Sequence, residues 1–192
     1  MARRASLGKE NASPQSIHVA NWVVGSADNQ GVPFTIIDKV NAKGQLQRAA
    51  PALLGLVRGD DSLPGIGQCN LSSIRLGERT TPAGCFVASR DWDVNGRKML
   101  WVDYDIAILF HQVIKGAPTE RPTKRLDSAS PDDNRNSCGC INVPLKFYKS
   151  LVSPACTDIG EIACILPETR PARKYSVPVT SKNCRQWLQK PC

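Results

Sequence analysis

The sequence predicts a mainly β protein of one domain, with one short helix late in the chain. Three observations carry this. The 192 residues suffice for one real core and are awkward for two. The apolar residues come in short runs of strand length, separated by turn residues. Only the segment from Asn142 to Pro154 repeats its apolar residues at helical spacing.

Taken in order, Phe34–Val40 reads as a strand, and residues 41–45 read as a turn. Pro51–Val57 is an apolar run of strand length. Residues 59–70, rich in Gly, Pro and Asp, are a loop. Residues 80–84 form a turn, and residues 85–89 a strand. Met99–Asp105 alternates as a half-buried strand does. Residues 106–111 fit a strand or one helical turn. Residues 115–136 are polar with three prolines and read as a long surface loop, the kind that serves as a lid or binding loop. Asn142 then suits an N-cap and Pro144 a first turn. Phe147, Tyr148, Leu151 and Val152 share one helix face, and Pro154 stops it. Residues 161–166 are a last strand. Residues 1–16 are expected to be a disordered N-terminal segment, 17–171 the domain, and 172–192 a flexible basic tail.

The net charge of +8 invites a nucleic-acid reading, so its location matters. Arg170, Arg173, Lys174, Lys182, Arg185 and Lys190 face no acid after residue 169, while residues 11–169 hold sixteen basic and sixteen acidic side chains. The basic character sits in the tails, and no nucleic-acid motif accompanies it. A nucleic-acid partner is therefore not expected. No run of 18 apolar residues exists, so no transmembrane span is expected. Arg3 and Arg4 lead into no apolar stretch, so no signal peptide is visible. The eight cysteines form no paired CxxC modules, which argues against a zinc ribbon. Their pairing is left open.

The chemistry concentrates in residues 137–142, Ser-Cys-Gly-Cys-Ile-Asn. Cys140 lies ahead of the predicted helix, whose dipole and free N–H groups would favour a thiolate and offer an oxyanion site. Gly139 lets the backbone approach a substrate carbonyl. A thiol nucleophile needs a base. His18 lies outside the patterned core, which leaves His111.

These residues resemble the L,D-transpeptidase (YkuD-like) family. Ser137-x-Gly139-Cys140-Ile141-Asn142 is similar to its cysteine motif, and Thr81-Pro82-Ala83-Gly84-x-Phe86 to its TPxGxF segment. Trp101–Asp105 followed by His111 resembles the strand leading to its catalytic histidine. Asp133-Asn134-Arg135, Cys140–Pro144 and Phe147-Tyr148 resemble a proteobacterial branch with a GCINVP block. The similarity runs from about residue 20 to about residue 171.

The resemblance implies a sandwich of curved sheets, with a short helix after a catalytic cysteine set in a cleft. It implies Cys140 as nucleophile and His111 as base, with Ser137 and Gly139 shaping the catalytic loop. Asn142, Arg135 and Tyr104 are the substrate-binding candidates. The substrate would be a peptidoglycan stem peptide, cleaved between diaminopimelate and D-Ala and passed to an amine or water. No metal or organic cofactor is implied. A periplasmic or envelope location and acylation by carbapenems are implied as well. The alternative is a catalytically degenerate relative acting as a cell-wall binding or structural protein, since Cys138 sets a second thiol beside the first and the strand that the family has after residue 40 is missing here, which leaves a sheet edge unpaired.

Overall fold

The structure, a computed structural model, describes residues 5, 12–26, 29, 31–45, 48–93, 96–114, 120–155 and 160–171. The basic tail from residue 172, most of the first eleven residues, and residues 115–119 of the expected surface loop lie outside the described residues.

Helix α1 (Pro14–Ser26) comes first. The hydroxyl of Ser13 accepts the Ser16 N–H at 3.1 Å, a serine N-cap followed by a proline at the first position. Ser16, Ala20 and Val23 are its buried residues. The helix thus begins inside the stretch expected to be disordered.

Ten strands follow: β1 (Phe34–Asp38), β2 (Lys43–Gln45), β3 (Ala49–Pro51), β4 (Leu54–Gly55), β5 (Gly84–Trp92), β6 (Lys98–Asp103), β7 (Ile108–Gln112), β8 (Arg135–Ser137), β9 (Ile141–Val143) and β10 (Glu161–Ile165). Eight of them form one sheet in the order β3-β2-β1-β10-β5-β6-β7-β9. The β1–β10 and β7–β9 pairs are parallel, and the others antiparallel. The two parallel strands β4 and β8 form a separate pair. Between β3 and β4, Leu53 exchanges both backbone hydrogen bonds with Asn142 of β9, at 2.8 and 3.0 Å. The chain segment that starts at one sheet edge therefore reaches the opposite edge. The sheet curves until it is nearly closed, and the protein is mainly β with few helices.

The expected unpaired edge is not present. Residues 43–45 form β2, in register with β1 through Ile36↔Gln45 and Asp38↔Lys43. The turn is only residues 39–42, closed by Ala42 at a φ of 48°. A strand of three residues containing Gly carries too little alternation to be read from its sequence.

The core fills the inside of the curve. Ile37, Leu100, Phe110, Ile141, Val143 and Ile165 are among its fully buried members. A second cluster lies on the outer face of β1 and β10, where Ile36, Ile162 and Cys164 meet Ala20 and Val23 of α1. Strand β10 is thus covered on both faces, which is why all five of its residues are buried. Cys164 pairs across the ladder with Cys85 of β5, and the two form a disulfide.

The helix near the C-terminus is a continuous run of α (Leu145–Phe147), π (Tyr148–Val152) and α (Ser153–Ala155) turns. Phe147, Tyr148 and Val152 are buried and Leu151 is partly buried, as their spacing predicts. Its N-cap is Pro144, not Asn142, which belongs to β9. Pro154 does not stop it. The Ser153 N–H reaches back to the Tyr148 carbonyl, a π-type bond that carries the run past the proline. A further short helix, α2 (Pro122–Leu126), interrupts the expected surface loop. Among the described residues no helix is long and apolar enough to cross a membrane.

Candidate functional site

His111 lies in β7, and alternation along that strand turns Phe110 into the core and His111 to the other face. The parallel ladder with β9 sets Phe110 beside Ile141 and His111 beside Asn142. Cys140 stands one residue before β9, and its thiol reaches the Ala107 carbonyl, one residue before β7. The loop that carries Cys140 thus borders the strand that carries His111.

The imidazole is nearly buried, at 9% exposure. Its Nδ1–H donates to the Gln112 carbonyl at 2.8 Å. That bond selects the tautomer and leaves Nε2 as the acceptor nitrogen. Burial pulls the ring below the usual histidine value, with Arg97 adding to the pull, while the Gln112 carbonyl and Asp93 oppose it. The ring is thus neutral at pH 7, as a base must be.

Cys140 is a free, partly exposed cysteine. Its thiol donates to the Ala107 carbonyl at 3.8 Å, and no hydrogen bond joins it to His111. Burial pushes the thiol up to about 11, and a neighbouring charge on Cys138 would add to this. The backbone N–H groups of Leu109 and Cys140 bear on the sulfur and pull the other way. The helix-dipole expectation is corrected here. Strand β9 and Pro144 separate Cys140 from the helix, which starts at Leu145, and the dipole fades within the first turn. The amides at the sulfur are those of Leu109 and Cys140.

The loop that carries Cys140 is tightly made. The Ser137 hydroxyl donates to the Cys140 carbonyl at 2.6 Å and accepts the Gly139 N–H at 3.1 Å. Ser137 thus holds the loop, and the Gly139 N–H is committed to it. Gly139 has a φ of +120°, and a Cβ there would meet the Thr80 carbonyl oxygen and Ile108 at 2.9 Å. Only glycine fits both the conformation and the space. The Asn142 side chain donates to the Cys140 carbonyl at 3.4 Å, so it braces the loop from the strand side.

Tyr104 stacks on Trp101 at 4.6 Å. Its hydroxyl donates to Asp91 at 3.0 Å and lies 3.3 Å from the Ser89 hydroxyl. Trp101 pairs with Leu109, two residues before His111, which puts this aromatic pair on the His111 face. Arg135 is not a solvated loop charge. It lies in β8, is 7% exposed, pairs with Glu168, and donates to the Lys39 carbonyl at 3.0 Å. A guanidinium so committed has little left for a substrate carboxylate.

Behind the loop lies a cluster that the sequence did not announce. Lys39, fully buried, donates to Asp60 and to the Thr81 carbonyl, each at 2.9 Å, and stands 3.6 Å from Glu168. Burial lowers the Lys39 ammonium, while Asp60 and Glu168 oppose the shift. Burial pushes Asp60 up, but the Thr169 hydroxyl, the Glu168 N–H and Lys39 outweigh it and hold the carboxyl well below the usual range. Thr81 joins this cluster to the site. Its hydroxyl donates to the Gly139 carbonyl and accepts the Gly55 N–H, both at 2.7 Å. The stretch read as a turn is not one: Thr80 bridges to Val57 and Gly84 opens β5. The grip of Thr81 on Gly139 was not legible either.

Among the described residues no group of three or more His, Cys, Asp or Glu side chains is placed to hold a metal ion. In comparison with known proteins, no family model, no curated protein and no solved structure matches this chain.

Proposed function

We propose that this chain is a cysteine acyltransferase of the L,D-transpeptidase kind, acting on peptidoglycan stem peptides. The observation that supports the reading is the pairing of β7, which carries His111, with β9, which follows directly on Cys140. His111 Nε2 takes the thiol proton as the sulfur attacks the carbonyl between diaminopimelate and D-Ala. A neutral base brought to the sulfur would bypass the need for a free thiolate, which a thiol at about 11 rarely supplies at pH 7. The Leu109 and Cys140 amides, already directed at the sulfur, are the nearest donors for the oxyanion. D-Ala leaves with the proton from His111, and a thioester remains on Cys140. An amine of a second stem, or water, resolves it. The Trp101–Tyr104 pair forms the wall against which the stem rests. The Cys85–Cys164 disulfide supports an oxidising location such as the cell envelope.

A second reading is a relative that binds cell wall without turnover. It is favoured by the thiol's bond to the Ala107 carbonyl in place of His111.

Intact mass after carbapenem treatment tests the first reading. One drug mass is expected on the wild type and none on Cys140→Ala, and His111→Gln is expected to slow acylation roughly a hundredfold to ten-thousandfold. Sacculi should release D-Ala. Binding to sacculi with no D-Ala released establishes the second reading in its place.

A further inference from the structure

We propose that Cys138 and Cys140 form a disulfide site, a reversible cross-link that removes the Cys140 sulfur from chemistry. Both are free thiols and both are partly exposed. Residues two apart span about 7 Å when fully extended, and a disulfide takes Cα atoms about 4.4–6.8 Å apart. The chain here is bent rather than extended. Gly139 holds a φ of +120°, and the Ser137 hydroxyl ties the Gly139 N–H and the Cys140 carbonyl to one oxygen. A glycine between the two cysteines is also the residue best able to adjust its backbone for ring closure.

The chain already carries one disulfide, Cys85–Cys164, so it matures where disulfide oxidants reach its thiols. Either thiol can start the exchange; written from Cys138, its thiolate attacks one sulfur of a small disulfide such as oxidised glutathione. The glutathione S–S bond breaks, and one glutathione leaves and takes up a proton. The Cys140 sulfur then attacks the Cys138 sulfur of the mixed disulfide and gives up its proton. The Cys138–Cys140 bond forms and the second glutathione departs as a thiol. The two cysteines lose two electrons and two protons, and the oxidant is reduced to two thiols. A disulfide closed in so small a ring is strained and readily reduced, which makes the change reversible. The step requires only the two thiols and is independent of any substrate for Cys140.

The full chain, treated with oxidised glutathione and then iodoacetamide, tests this by peptide mapping. The peptide containing residues 138–140 is expected to lose the mass of two hydrogen atoms. Both sulfurs should then resist alkylation until a mild thiol reductant is added. In Cys138→Ser, Cys140 is expected to stay open to iodoacetamide or to carry one glutathione. Separate glutathione adducts on both sulfurs of the wild type, a bond from either to another cysteine, or two thiols that stay alkylatable would overturn the proposal. The mapping needs no turnover, so it stands apart from the carbapenem measurement. A reduced chain that takes no carbapenem yet closes this bond refutes the transpeptidase reading alone.

Discussion

Two polar regions meet at Thr81 in this molecule, and they are built on opposite principles. In one, Lys39, Asp60, Arg135 and Glu168 set two cations against two anions, and backbone groups take up further hydrogen bonds. In the other, Cys140 and His111 each spend one bond on a backbone carbonyl and keep a reactive atom in hand. A buried charge is tolerated only when paired, so the first region is bound to its geometry. A neutral thiol and imidazole bring no such charge to be paired, and each keeps an atom that the proposed reaction would use.

Breaking the paired region should have the larger effect on stability. Asp60→Asn removes a charge that Lys39 depends on, and is expected to cost about 3–5 kcal/mol in urea unfolding. Cys140→Ala should cost far less in the same measurement. An Asp60→Asn cost as small as that would show the ion cluster to be ornament and undo the contrast.

Thr81→Val tests the link between the regions. It leaves the Gly55 N–H and the Gly139 carbonyl without the hydroxyl, at an expected cost of about 1–3 kcal/mol. Because Gly139 is held through that hydroxyl, acylation of Cys140 should slow as well. Loss of stability with unchanged acylation would show that the loop keeps its shape without Thr81.

The smallest effects separate the regions by pH. His111 is held below 6.5 in the folded chain, so the unfolded chain takes up this proton first as pH falls, and stability begins to drop near 6.5. Asp60 is held below 3.8, so the stability it lends is present above that value and is lost as pH falls further. Unfolding followed against pH should show both steps. His111→Gln should erase the upper step and Asp60→Asn the lower. A variant that erases the other step would reverse these assignments.

The legibility of these parts differs for physical reasons. Strands β5, β6 and β10 were readable because several consecutive residues alternate or stay apolar. Strand β2 was not, being three residues held by its partner. Helix α1 was missed although Ser13-Pro14 is an N-terminal signal, because its buried stripe is only Ser16, Ala20 and Val23, too weakly apolar to stand out. Asn142 was read as a cap because Asn caps helices well, but the bonds it exchanges with Leu53, 89 residues earlier in the chain, make it a strand residue. Cys140 and His111 were legible as chemical types at particular positions. Their environment was not, and the expected low thiol value became a high one when burial outweighed the distant helix.

The sequence by itself determined the mainly β character, the apolar face of the late helix and the short stretch that holds Cys138 and Cys140. These follow from contacts within a few residues, where spacing alone decides which side chains share a face. Only the tertiary structure decided that Leu53 closes the sheet against Asn142, that Lys39 finds Asp60 and Glu168, and that Thr81 grips Gly139. Those partners lie far apart along the chain, and charges and hydrogen-bonding groups choose among many candidates by proximity, which exists only once the sheet has curved.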